Sequence, residues 1–75
     1  MKEHHKQHFK EIGNKIQMAR LKKGLSLQDL AKKTNMSAAR VLKIENGETD
    51  FMFTTFVRIA RALDVELYTL VGDEW

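Results

Sequence analysis

Seventy-five residues, no cysteine and a net charge of +3 set narrow limits. A chain this short makes one domain with a modest core, and packed helices or a partner chain must stabilise it because no disulfide can. No apolar run approaches the roughly 20 residues of a membrane span and no secretory segment follows the polar start, which excludes a membrane protein and predicts a soluble, cytoplasmic one.

The charge is unevenly spread. Residues 1–46 carry 11 Lys/Arg against 4 Asp/Glu, and residues 47–75 carry 2 against 6, so the front half is +7 and the rear −4. A basic front suits a polyanionic partner on one face, although lysines also simply solvate helix surfaces.

Met1 to Lys10 is polar and contains His4, His5 and His8. His4 and His8 would share a helix face, but no Cys, Asp or Glu at fitting spacing completes a ligand set, so no metal is expected. Residues 1–8 are read as a flexible arm, 9–72 as the domain and 73–75 as a tail. Phe9, Ile12, Ile16 and Ala19 recur at helical spacing and predict a first helix from about His8 to Lys22, with Lys10, Lys15, Lys22 and Lys23 off its apolar face. Met18 is assigned to the core.

Leu25 to Gly47 reads as two short helices around a tight turn. Gly24 closes the helix before it, since glycine takes the left-handed conformation freely. Ser26 with Asp29 is a capping-box pattern, and Leu27, Leu30 and Ala31 share one apolar face. Thr34-Asn35-Met36 breaks the pattern, and Asn35 tolerates positive φ. Ser37 is a second N-cap, Val41 and Ile44 face inward, and Asn46-Gly47 ends the helix. With Val41 and Ile44 inward, Ala39 and Lys43 point most directly outward, and Ala38 and Arg40 flank them. Helices this short cannot stand alone and need others to cover them.

Beyond Gly47, Thr54 or an earlier polar residue is expected to cap a fourth helix carrying Phe56, Ile59, Ala60 and Leu63. Phe53, three before Phe56, is assigned to the core. A fifth short helix is read over Glu66 to Val71, ended by Gly72, although Val65 to Val71 also alternates as a strand.

The order and spacing of Ile12-Gly13, Ile16, Arg20, Gly24-Leu25-Ser26, Leu30-Ala31, Met36-Ser37, Val41 and Ile44-Glu45-Asn46-Gly47 resemble the Cro/repressor-type (XRE) helix-turn-helix family. Phe56, Ile59-Ala60, Ala62-Leu63 and Leu70 extend the likeness, which covers about four fifths of the chain. It implies an all-α, five-helix fold and a repressor-type transcriptional regulator that reads the major groove of double-stranded DNA with its third helix and needs no cofactor. It also implies that Arg20 pairs with Glu45 across the first and third helices; without that pairing, Arg20 is one more surface cation.

The same resemblance implies base reading by Ala38, Ala39 and Lys43, with Arg40 beside them. Lys43 can donate to guanine O6 or N7, Arg40 to guanine or a phosphate, and the two alanines can touch only thymine methyls. Phosphate contacts are implied at the start of the second helix, around Leu27 and Gln28, and at Ser37 and Asn46. Relatives often carry a glutamine where Leu27 stands, and here it is displaced to Gln28. The loop after Gly47, commonly basic in the family, carries Glu48 and Asp50, which oppose a phosphate, so this side is expected to turn away or bind weakly.

Phe51, Met52, Phe53, Tyr68 and Trp75 are many large apolar groups for so small a domain. A homodimer is expected through the C-terminal part, using Phe51, Tyr68, Leu70 and Trp75. Phe53-Thr54-Thr55-Phe56 with Arg58-Ile59 and Leu63 is also similar to HipB-type antitoxins, helix-turn-helix dimers that bind a toxin as well as their own operator. The competing reading is therefore an antitoxin or adaptor whose main partner is a protein. No cysteine, Gly-rich phosphate loop or His–carboxylate pair is present, so an enzyme is not expected.

Overall fold

Five helices follow one another in the computed structural model, which describes the backbone of residues 2–71 and the side chains of residues 8–71. They are α1 (Lys2–Lys22), α2 (Leu27–Thr34), α3 (Ala38–Glu45), α4 (Phe53–Leu63) and α5 (Leu67–Val71). The helix-turn-helix is α2 and α3. The first helix packs on α3 and α5, α2 packs on α3 and α4, and α4 meets α5. Among the described residues no helix is long and apolar enough to cross a membrane.

Helical backbone begins at Lys2, well ahead of the expected start near His8, and so occupies most of the segment read as an arm. Lys, Glu and Gln are frequent there, and such unbranched chains lose little rotamer freedom in a helix. The side chains of His4 and His5, the helix end expected at Gly72, and Trp75 lie outside the described residues.

One apolar core runs through all five elements: Ile12 and Ile16 from α1, Leu30 and Ala31 from α2, Val41 and Ile44 from α3, Phe56, Ile59, Ala60 and Leu63 from α4, and Leu70 from α5. Two core assignments fail. Met18 is exposed because the inward stripe of α1 passes through Ile12, Ile16 and Arg20, and Met18 lies across the helix from it. Phe53 is 68% exposed. The place expected for its ring is taken by Phe51, which sits before the helix and packs edge-on against Phe9 at 5.2 Å between ring centres and against Phe56 at 5.6 Å. The expected polar cap of α4 also fails, since its N-cap is Met52 and no side chain caps it. The segment after Val65 is helical, not a strand, with Leu67, Leu70 and Val71 turned to the core.

The first four helices end in one way. Leu25 N–H donates to Arg20 O and Gly24 N–H to Leu21 O; the same doubled pattern joins Met36 to Ala31, Glu48 to Lys43 and Val65 to Ala60. This is the Schellman motif, which satisfies the orphan carbonyls of the last turn and requires a left-handed residue just past it. That residue is Gly24, Asn35, Gly47 and Asp64 in turn, with φ of 74°, 59°, 71° and 57°. Leu25, Met36 and Val65 follow three of these turns and pack on the core, so each chain reversal also buries an anchor.

Two features set how closely α1 and α3 approach. Gly13 lies where a Cβ would collide with the backbone carbonyl oxygen of Ile44 and come within 2.6 Å of that of Glu45. About two turns further along α1, Arg20 Nε donates to Glu45 Oε2 at 2.7 Å and its Nη2 to Oε1 at 3.2 Å. The third donor, Nη1, reaches Leu25 O at 2.9 Å, in the link that leads into α2. The side chains are 8% and 0% exposed, so the pair is buried and bidentate.

In urea unfolding, Gly13→Ala is expected to lose about 1–3 kcal/mol to overpacking, although alanine gains about 1 kcal/mol in helix propensity. Unchanged stability contradicts the close approach. For the ion pair, a double-mutant cycle of Arg20→Met and Glu45→Gln is expected to give a coupling above the ~0–1 kcal/mol of exposed pairs. A coupling of zero contradicts a buried bidentate pair.

Candidate nucleic-acid interface

The outward side of the helix-turn-helix is built by its two caps. Ser26 Oγ accepts from Asp29 N–H at 3.0 Å, while Ser26 N–H donates to Asp29 Oδ2 at 2.9 Å, the full reciprocal box. The Leu30 N–H takes Ser26 O, which leaves the N–H groups of Leu27 and Gln28 as the open donors of the α2 N-terminus. The backbone and hydroxyl of Ser26 hold the Asp29 carboxyl below its usual range. A folded pKa below the unfolded value means that the box stabilises above about pH 3.9 and is lost as acid titrates the carboxylate through its lowered pKa. Asp29 therefore keeps a negative charge at this helix end at neutral pH, which opposes part of the positive dipole offered to an anion.

The turn is held from behind. Thr34, fully buried, donates its hydroxyl to Leu30 O at 2.7 Å, and Arg58 of α4 donates to Thr34 O at 3.2 Å. Neither role was evident in the sequence, where Thr34 reads only as part of the break between two helices and Arg58 only as part of the antitoxin-like pattern. Ser37 Oγ then caps α3 by accepting from Arg40 N–H at 3.1 Å.

With Val41, Ile44 and Glu45 buried, α3 presents Ala39, Arg40, Leu42 and Lys43 to solvent. Ala38 is half-buried and packs on the core, so it shows only an edge. Leu42 is absent from the candidates read from the sequence, yet it is 41% exposed on this same surface. A helical wheel contained the signal, for Leu42 falls between Ala38 and Ala39 around the helix. Asn46 ends α3, exposed, beside an open cleft of about 400 Å³ that is also lined by Lys10, Asn14 and Gln17 of α1. Leu27 and Gln28 stand at the start of α2, Leu27 half-buried against the core and Gln28 exposed. Arg20 and Glu45 lie beneath, in the scaffold.

The residues assigned to a dimer contact do not form one group. Leu70 is 1% exposed and belongs to the core of the single chain, because α5 closes that core against α1 and α4; its assignment to an interface is corrected. The ring of Phe51 is half-buried against Phe9 and Phe56, so most of it is likewise spent within the chain. Tyr68 is 70% exposed. Met52 and Phe53 are exposed to a similar degree, next to Glu48 and Asp50.

Solved structures of similar shape are known. The restriction-modification controller protein C.AhdI from Aeromonas hydrophila matches with a TM-score of 0.84 and 27% identity, over 88% of this chain and 96% of that one. An HTH_3 family transcriptional regulator from Vibrio cholerae matches with a TM-score of 0.82 and 29% identity, over 88% of this chain but 37% of its own. The clp gene regulator ClgR from C. glutamicum, at 20% identity and a TM-score of 0.78, covers 81% of this chain and 79% of its own, and shares the fold. No curated protein matches the sequence. The profile of the HTH_3 helix-turn-helix family matches residues 16–70, which spans α2 to α4 together with the Arg20–Glu45 clamp, and the chain belongs to that family.

Proposed function

We propose that the protein is a sequence-specific, repressor-type transcriptional regulator that lays α3 in the major groove of double-stranded DNA. The observation that carries this reading is the outward face of α3, with Arg40 and Lys43 exposed on a helix whose other side is clamped to α1. An α-helix fits the major groove, and the second helix of a helix-turn-helix is the one presented to it. Likeness to a controller protein and to a transcriptional regulator, both above 25% identity, supports the same reading.

In this arrangement Ala38, Ala39, Arg40 and Lys43 meet base edges. The open N–H groups of Leu27 and Gln28, with Ser37 and Asn46, contact phosphates that set the register. Two copies double a short site, and a two-fold partner must leave α3 free. We assign that contact to Tyr68, an exposed aromatic on the short α5.

A second reading has its own support. Met52 and Phe53 stand exposed beside two acids at the start of α4, which suits a protein partner better than a phosphate, as in an antitoxin or adaptor. Binding to random duplex separates the two. A DNA regulator loses affinity steeply as salt rises because phosphate contacts release counterions, whereas a protein-directed domain shows weak binding throughout.

Lys43→Ala is expected to reduce discrimination at one base step by roughly 1–3 kcal/mol, measured as the ratio of operator to random-duplex affinity. An unchanged ratio removes Lys43 from base reading. By sedimentation, the wild type is expected to dimerise at micromolar concentration and Tyr68→Glu to remain monomeric. A dimer that survives Tyr68→Glu places the contact elsewhere.

A further inference from the structure

Around α3 the solvent-facing residues follow one another as Ala38, Leu42, Ala39, Lys43 and Arg40, at angular steps of about 40–60°. The recognition face is therefore divided, with an apolar lane beside a donor lane. Leu42 is 41% exposed, so a large part of its side chain faces solvent on this side of α3. An exposed leucine is ordinary on most surfaces. On a face pressed into DNA it loses its water, and its partner then matters. Nearly every group on the major-groove edge of a base pair is a hydrogen-bond donor or acceptor, and covering one with hydrocarbon leaves it unsatisfied. The exception is the C5-methyl group of thymine, which gains from apolar contact.

We propose that Leu42 acts with Ala39 as a reader of C5-methyl pyrimidines, while Arg40 and Lys43 take the neighbouring guanine or phosphate. The inference rests on the docking of α3 described above and deepens it. It makes Leu42 a specificity-determining residue, and it makes the methyl group itself the feature recognised. A cytosine carrying a C5-methyl presents the same group at the same place, so the lane distinguishes methylated from unmethylated cytosine.

The test uses the full chain and a duplex selected by it from a random pool. Each thymine of the selected site is replaced singly by deoxyuridine, which differs only by the missing methyl. At least one replacement is expected to weaken binding about fourfold, the factor that one buried methyl group gives. Leu42→Ala, folded by circular dichroism, is expected to abolish that penalty at one position. Leu42→Gln, which keeps the length and adds polar atoms, is expected to abolish it too. A selected site at which every deoxyuridine is neutral overturns the proposal while leaving major-groove docking intact, as does an equal penalty in wild type and both variants. A pool that yields no enriched sequence overturns the docking reading and this one together.

Discussion

Glu45 occupies the last turn of α3, where the free carbonyls already carry partial negative charge, and it is buried. Alone, a carboxylate there would be strongly unfavourable, since burial and the helix dipole both act against its charge. Arg20 reverses this with two donors to the carboxylate and a third to Leu25 O. One guanidinium thus joins α1, the end of α3 and the entry to α2. The relative placement of the two helices of the motif depends on that fork, and a lysine, with its point charge, cannot reproduce all three contacts. Buried ion pairs often add little net stability over apolar replacements, so the pair is better understood as fixing an orientation.

Gly13 supplies the space that makes the clamp geometrically feasible. Without it the carbonyls at the end of α3 could not come so near α1, and Arg20 would reach across a wider gap. The helix ends work in the same direction. Four helices stop within a single left-handed residue each, and the next residue is sent directly back to the core at three of them. Short, abrupt turns leave α2 and α3 little freedom to swing, which suits a surface that must present a few side chains in fixed register.

Much of this was legible because it is local. Ser26 and Asp29, the stop at Gly24, the positive φ at Asn35 and the break at Asn46-Gly47 each involve residues a turn apart. Asp64 escaped notice because aspartate takes the left-handed conformation far less often than glycine, and nothing nearby marks it as a stop. The exchange of Phe51 for Phe53 in the core could not be read from spacing: it depends on where α4 begins and on Phe9, distant in sequence. Arg20–Glu45, 25 residues apart, was reached only through family resemblance, since no local pattern links the two. Leu42 lies outside the α3 positions that the family resemblance implies, Ala38, Ala39 and Lys43, and on a wheel with Val41, Ile44 and Glu45 inward it is further from the outward direction than Ala39 and Lys43.

We assign DNA binding to the outward side of α3 and not to the exposed apolar residues Met52, Phe53 and Tyr68. Amide chemical-shift mapping of the labelled chain during titration with duplex DNA at low salt tests that assignment directly. The largest changes are expected on residues 26–29 and 37–46, the start of α2 and the length of α3. Changes concentrated on residues 48–53 or on α5, with the amides of α3 unmoved, would contradict it.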